Sequence, residues 1–250
     1  MTATNPKSGL TLGFTRGFTQ SQAFVRHFGK KAIFRPKTKD LLFDTTQIAG
    51  KNDRGESYTF AGEYAWLGFT ARETILRLAT EVLNDKTLHL DVLAYDLNEP
   101  EIMRAFLALA KEGRIRMILD NATLHHDTAK PKNEDAFAAL FTKAAKHGAA
   151  IRRGKFGRYA HDKVLIVADA HGPRNVLTGS TNFSITGLYV NSNHVLLFND
   201  REIAKAYAGI FQLAWAGNVS SKFSATAEAA KTFSYAAPGI APTLLGAALA

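Results

Sequence analysis

A histidine and a lysine stand two residues apart at the start of an apolar strand. The segment 160–168 reads AHDKVLIVA, and side chains alternate along a β-strand, so His161 and Lys163 should point the same way. About 6.6 Å of strand separates them, at roughly 3.3 Å per residue. A phosphate group fits such a gap, with the ammonium group holding the anion and the imidazole beside it.

A small polar turn, GSTN, follows in the sequence and begins at Gly179. A glycine lets the backbone approach a ligand closely. The side chains of Ser180 and Asn182 can donate hydrogen bonds to anionic oxygens. If the predicted strands 161–168 and 175–179 pair as a hairpin, these donors lie beside the histidine and the lysine.

Together, the HxK pattern, a downstream aspartate and the GSTN turn resemble the signature of the phospholipase D superfamily. The resemblance covers roughly residues 62–216 and includes LHLDVLAYDLNEPEIMRAFLALAKEGRIRMILD, which is similar to the family's first βαβ segment. It implies an α/β/α sandwich that breaks phosphodiesters without a metal ion. It further implies that His161 is the nucleophile and forms a phosphohistidine. The non-bridging phosphate oxygens would be bound by Lys163, Ser180 and Asn182.

Two positions depart from the family pattern. The family's aspartate position falls on Ala168, and the acid stands one residue later, at Asp169. Such a shift moves a side chain to the other face of a regular strand unless a bulge absorbs it. Many relatives carry a glutamate that orients the catalytic histidine, and here Asn193 stands in its place. We expect Asp169, Asn193 and Gly179 to support the site, with attenuated activity as one interpretation.

The resemblance also implies a second histidine that protonates the leaving group. Of the eight histidines, only His161 has a lysine two residues later, so the chain carries one motif, as in a nuclease-like branch of the family. Either a homodimer brings one His161 from each copy to a two-fold axis, which we favour, or a second half lies outside this chain. The segment FSYAAPG in the tail resembles the joint between halves of relatives that have two motifs.

A basic and aromatic segment leads directly into His161 and could follow a nucleic acid strand, with cations on phosphates and rings on bases. Its candidate contacts are Arg152, Arg153, Lys155, Arg158 and Tyr159. We therefore predict a nuclease acting on DNA or RNA. A phospholipase D acting on membrane lipid headgroups and a catalytically weak nucleic-acid-binding module are the alternatives, and a solvated loop explains the same charges.

Composition is consistent with an anionic partner. The 250 residues include 31 lysines and arginines against 22 acidic residues, a formal charge of +9. The absence of cysteine excludes disulfides, cysteine-bound zinc and thiol nucleophiles. The loop His125-His126-Asp127 could bind a metal ion, but a solvated loop explains it better, and we expect no metal and no cofactor. Neither a signal peptide nor a membrane span is recognisable, so a cytoplasmic location is expected.

The element pattern predicts an α/β fold. Thr70 and Glu73 form a potential capping box, and strand, helix and strand over 87–120 indicate a βαβ unit with parallel pairing. The remaining elements are a helix at 134–147, strands at 149–153, 161–168, 175–179 and 194–199, and a last helix after Asp200. We predict a mixed, largely parallel sheet sandwiched between helices. The predicted regions are a basic and aromatic N-terminal extension at 1–60, a catalytic domain at 61–222 and a tail or linker at 223–250.

Overall fold

The computed structural model describes residues 3–5, 9–19, 21–38, 40–229, 231–235 and 243–246. The strands in these ranges are β1 (Ala3–Asn5), β2 (Leu10–Phe14), β3 (Ile48–Lys51), β4 (Ser57–Thr59), β5 (His89–Ala94), β6 (Ile115–Asp120), β7 (Ala150–Gly154), β8 (Lys163–Asp169), β9 (Gly172–Gly179), β10 (His194–Phe198), β11 (Thr232–Tyr235) and β12 (Thr243–Gly246). The α-helices are α1 (Gln22–Phe28), α2 (Phe60–Asn84), α3 (Pro100–Lys111), α4 (Asn133–Ala144), α5 (Ile185–Tyr189) and α6 (Arg201–Leu213). A π-helical turn, Ala214–Asn218, and a 3₁₀ helix, Ser221–Ala225, follow α6.

One sheet organises the domain, with the strand order β1-β2-β10-β9-β8-β5-β6-β7. The predicted βαβ unit is present, since β5, β6 and β7 pair in parallel. All other neighbours in this sheet pair antiparallel. The mixed α/β class is therefore confirmed. The sheet is less parallel than expected because β8, β9 and β10 follow one another through short connections, which favour antiparallel pairing.

Alternating side chains give the sheet two buried faces. Val92 of β5 and Leu165 of β8 join the core under α2, α3 and α4. Their neighbours Leu93 and Ile166 point the other way, into a smaller core closed by α6. A sheet with helices on both faces is the α/β/α sandwich that the sequence predicted.

The helix expected after Thr70 is part of a longer one. α2 begins at Phe60, and its path breaks at Phe69, where φ is 42°. The Thr70 hydroxyl does not cap the helix through its own first turn; it accepts a hydrogen bond from the backbone N–H of Phe14 in β2 at 2.9 Å. Because β2 crosses at this break, tertiary contact replaces the predicted local capping box.

The first sixty residues contribute to the sheet itself. β2 pairs with β10 over the whole length of both strands, from His194 opposite Phe14 to Phe198 opposite Leu10. α1 packs its aromatic rings on α2, with the Phe24 and Trp66 centroids 6.1 Å apart. The segment expected as an extension thus supplies an edge of the fold. From the predicted tail, 230, 236–242 and 247–250 lie outside the described residues.

None of the helices that the structure describes combines the length and the apolar character required of a membrane span.

Arg114 ties α2 to the parallel strands. Its side chain is only 6% exposed, and its guanidinium donates to the carbonyl oxygens of Val82 at 2.6 Å and Leu88 at 2.6 Å. These carbonyls belong to the last turn of α2 and to the residue preceding β5. The guanidinium also pairs with Glu112, which compensates its buried charge.

We expect Arg114→Met to lower the free energy of unfolding by about 2–4 kcal/mol, because it leaves buried carbonyl groups without donors. Urea denaturation followed by circular dichroism measures this loss. The control is Arg54→Met, which removes an exposed ion pair with Glu56 and should cost less than about 1 kcal/mol. Equal stability losses in the two variants would show that Arg114 is not a structural tie.

Candidate active site

The residues predicted to do chemistry lie at one end of the sheet's strands, where β8 begins and β5 ends. Lys163 opens β8 and pairs with Ala94 at the end of β5. On the other side of β8, Leu165 pairs with Leu177 of β9, and continuing this register by two residues sets Lys163 opposite Gly179. The HxK pattern and the GSTN turn are therefore brought together by adjacent antiparallel strands, as the sequence predicted.

His161 lies just before β8 and is held through its neighbour Ala160. The buried carboxylate of Asp120, at the end of β6, accepts the N–H of Ala160 at 2.6 Å and the N–H of Ala122 at 2.9 Å. The imidazole itself is exposed to solvent and lies against Tyr95, with ring centroids 4.4 Å apart. A fixed backbone thus presents an accessible ring, which a nucleophile requires.

Lys163 is buried beneath this ring, with 7% of the residue exposed. Its ammonium donates to the carbonyl oxygen of His161 at 2.8 Å and lies 4.9 Å from the centroid of Tyr95. Burial lowers the pKa of Lys163 to about 8, against the opposing influence of the Asp162 carboxylate. Burial and the Lys163 charge likewise hold the pKa of His161 below its usual range. At neutral pH the site therefore combines a neutral imidazole with an ammonium ion.

The GSTN turn is fixed by β10. The Ser180 hydroxyl accepts the backbone N–H of His194 at 3.1 Å and lies 3.2 Å from Nδ1 of the same residue. Thr181 donates to the His194 carbonyl at 2.8 Å. The side-chain oxygen of Asn182 is buried and has no hydrogen-bond partner in the described part of the chain. Ser180 is exposed, so its hydroxyl is accessible to an incoming anion, whereas Asn182 is only partly exposed.

Gly179 allows this turn to lie against β10. Its φ is 147°, and a Cβ at this position would come within 2.3 Å of the His194 carbonyl oxygen. The glycine is therefore required by close packing of two backbones as well as by conformation.

Two predicted supporting residues take other places. Asp169 stands at the far end of β8, about 20 Å of strand from Lys163, and forms an ion pair with Arg201. It does not support the site, because it ends the strand that Lys163 begins and so lies at the opposite end of β8. The Asn193 amide donates to the carbonyl of Gly187 at 2.8 Å, and within the described residues it makes no hydrogen bond to His161.

The structure reveals site residues that the sequence reasoning missed. Tyr95 contacts His161 and Lys163, and its backbone N–H donates to the carbonyl of Asp162 at 3.0 Å. Burial raises the pKa of Asp162 to about 7. Tyr95 and Asp120 stand at the carboxyl ends of two adjacent parallel strands, where α/β sheets place ligands. That rule, applied to the predicted βαβ unit, is the signal that could have found them.

The basic segment divides into free and engaged side chains. Lys155 and Arg158 are exposed, and Arg158 lies over the ring of Tyr159 at 5.0 Å. Arg152 is exposed but lies 4.8 Å from the Trp215 ring. Arg153 is engaged within the protein, paired with Asp135 at 2.9 Å and donating to the carbonyl of His125. The sequence prediction assigned Arg153 to nucleic acid, whereas its guanidinium fixes the loop before α4.

The chain matches the family model described as "Cardiolipin synthase, PLD-like domain" over residues 80–215. That match spans more than half of the chain and includes the HxK and GSTN residues, so the chain belongs to the phospholipase D-like family. This confirms the resemblance drawn from the sequence.

Among curated proteins, the mitochondrial cardiolipin hydrolases of Xenopus tropicalis and Xenopus laevis are each 28% identical over 127 residues. The match covers 50% of this chain and 54% of each relative, so the chain spans about half the length of these proteins. The phospholipase D family member Nuc from Salmonella typhimurium is 21% identical, covering 59% of this chain and 88% of that one, with a TM-score of 0.47. NucT from Helicobacter pylori is 16% identical, covering 58% and 89%, with a TM-score of 0.45.

We expect Gly179→Ala to destabilise the protein by more than about 2 kcal/mol, because the new methyl group meets backbone that cannot move aside cheaply. Gly172→Ala is the matched control: its φ is 101°, but its Cβ would enter open space, so about 1 kcal/mol is expected. Urea denaturation of both variants measures the difference. If Gly179→Ala is as stable as its control, the close approach of the turn to β10 is wrong.

Proposed function

We propose that the protein is a metal-independent phosphodiesterase that acts through a covalent phosphohistidine, with nucleic acid as its substrate. The observation that carries this proposal is the pairing of an exposed, neutral His161 with the buried ammonium of Lys163 beside the Ser180 and Asn182 turn. A neutral imidazole is a nucleophile, and preorganised donors stabilise charge on the phosphoryl oxygens. Lysine supplies here the charge that other enzymes take from a divalent ion.

The chemistry divides into two displacements. An imidazole nitrogen of His161 attacks phosphorus, a P–N bond forms, and the P–O bond to the leaving group breaks while a second, protonated histidine gives its proton to the departing oxygen. That histidine then removes a proton from water, and the water oxygen attacks phosphorus. The P–N bond breaks, the imidazole is restored and a phosphomonoester is released. Lys163, Ser180 and Asn182 hold the non-bridging oxygens in both steps.

The second histidine is supplied, in this proposal, by another copy of the chain. An isologous interface places the same surface of both copies at a two-fold axis, so each His161 faces its counterpart. The exposure of the His161 ring at the sheet edge is consistent with such an arrangement. A second half supplied by a longer chain is the alternative source of the same group.

Nucleic acid is favoured over lipid by the charge beside the reactive ring. The formal charge of the chain is +9, and the exposed Lys155 and Arg158 lie in the segment that leads to His161. The Tyr159 ring contacts Arg158 and Tyr95. Cations that follow phosphates and rings that stack on bases suit a single strand.

A lipid substrate is the second candidate, because the curated relatives named above are cardiolipin hydrolases. A catalytically weak nucleic-acid-binding module is the third, because Asn193 replaces the glutamate of many relatives. The three differ in outcome. Cleavage of DNA or RNA supports the nuclease, hydrolysis of cardiolipin or phosphatidylcholine vesicles without nucleic acid cleavage supports the lipase, and salt-sensitive binding without turnover supports the module.

We expect the purified chain to cleave DNA or RNA in assays begun in excess EDTA, and His161→Ala to lower the rate by about 10³-fold or more while binding is retained. His171→Ala, at the exposed turn between β8 and β9, is the matched control and should leave the rate unchanged. Acid-quenched reactions with labelled substrate should yield phosphohistidine only when His161 is present.

Mixing experiments complete this test. An excess of the His161→Ala chain should lower the activity of wild-type chains if two copies share a site. Full activity of the His161→Ala chain on every phosphodiester offered would remove the histidine from the chemistry, and with it the proposed mechanism.

The pKa directions predict the pH profile. The attacking imidazole must be neutral, whereas the second histidine and Lys163 must be charged. We therefore expect kcat/KM to rise as pH increases through the lowered pKa of His161, to fall as the second histidine loses its proton, and to fall further past about 8, where Lys163 loses its own. Arginine keeps its charge above this pH. Lys163→Arg should therefore remove the further fall near pH 8 even though the overall rate is lower. A fall near pH 8 that persists in this variant would assign it to a group other than Lys163.

A further inference from the structure

We propose that Asp96, His125 and Glu134 form a structural site for a divalent transition-metal ion of the zinc type, directly behind the catalytic edge. One possible ligand atom from each of the three residues lies within 4.8 Å of the other two. The three come from separate parts of the fold, namely the residue after Tyr95, the loop that follows β6, and the first turn of α4.

Burial sets this group apart from ordinary surface charges. His125 is 8% exposed and Glu134 is 3% exposed. The histidine that the sequence assigned to a solvated loop is thus inside the protein. Its Nδ1 lies 3.2 Å from Oε1 of Glu134. This separation is close to the distance between two atoms that bind one zinc ion at about 2.0–2.2 Å each.

One polar atom points to a missing partner. Nε2 of His125 is buried and makes no hydrogen bond to any described residue. Buried polar atoms nearly always have a hydrogen-bond partner, and one without a protein partner indicates an ion or a water molecule. A half-turn of the ring about the Cβ–Cγ bond places Nε2 where Cε1 now lies, next to the present position of Nδ1 beside Glu134. A metal ion in the cluster can then bind Nε2.

Charge and ligand type favour a cation. Two carboxylates face a single imidazole here, and the carboxylate of Glu134 raises the pKa of Asp96 in addition to the larger effect of burial. A divalent ion offsets both negative charges at once. Imidazole together with carboxylate suits zinc, whereas magnesium prefers oxygen ligands alone.

The surrounding contacts already orient two of the ligands. The backbone N–H of Leu97 donates to Glu134 at 3.0 Å, and the Asn98 amide donates to Asp96 at 3.1 Å. Such supporting bonds are typical of metal sites. The His125 ring also packs on Tyr95 with centroids 4.3 Å apart, and the Tyr95 ring in turn contacts the His161 ring. An ion here would fix the aromatic support of the nucleophile without touching the substrate.

The test measures zinc itself. Full-length protein without an affinity tag, stripped of metal and dialysed against dilute ZnCl₂, should retain about one zinc per chain by mass spectrometry of the metal, and zinc should raise its thermal midpoint by several degrees. His125→Gln should lose both the bound zinc and the shift. His126→Gln, in the same loop but paired with Asp135 outside the cluster, should keep both.

If His125→Gln does not fold, Asp96→Asn and Glu134→Gln replace it, since both keep a hydrogen-bond acceptor. The proposal is overturned if wild-type protein neither retains zinc nor is stabilised by it, or if all variants retain zinc equally. A proton shared between Asp96 and Glu134 would then explain the cluster. Zinc content does not depend on turnover, so this outcome is separate from that of the phosphodiesterase assay. Because the ion takes no part in the reaction, the initial rate in EDTA should survive, and only prolonged chelation should reduce stability.

Discussion

The burial of the Lys163 ammonium is the constraint on which the candidate active site depends. A charge removed from water is costly unless it finds partners. Among the described residues, those of Lys163 are the His161 carbonyl, the face of Tyr95 and nearby carboxylates. Each partner must therefore stand in a fixed place. The aromatic ring, the histidine backbone and the acids are ordered around the cation, and the same cation depresses the pKa of the imidazole above it.

The parallel and antiparallel halves of the sheet make different contributions. The parallel strands β5 and β6 bring Tyr95 and Asp120 to their carboxyl ends, which supply support and do not attack the substrate. The antiparallel strands bring the residues proposed to react, because pairing of β8 with β9 and of β9 with β10 sets the HxK segment beside the GSTN turn. The site is formed where these two halves meet, at the β5–β8 pair.

Local pattern predicted much of the fold. α3 is the helix of the predicted βαβ unit, and its N-terminal proline and amphipathic spacing are signals within one element. The pattern did not predict β2, because strand formation at 10–14 depends on pairing with β10 more than a hundred residues away. Nor could it show that Thr70 bonds to Phe14.

The candidate site shows the same division. His161 and Lys163 were proposed from their spacing. Tyr95 and His125 were missed as members of one cluster because nothing local links an aromatic at a strand end to a histidine in a later loop. Asp169 was placed near the site by its motif, but six residues of strand separate it from Lys163, so it lies at the other end of β8, where it pairs with Arg201.

The central position of β8 has a consequence for biosynthesis. Its neighbours are a strand made some seventy residues earlier and one made directly afterwards, and the turn beyond β9 is hydrogen-bonded to β10. A ribosome-bound chain therefore lacks an organised anion pocket until residue 198 has emerged. During synthesis, His161 therefore leaves the ribosome before the turn that is proposed to hold the phosphate is in place.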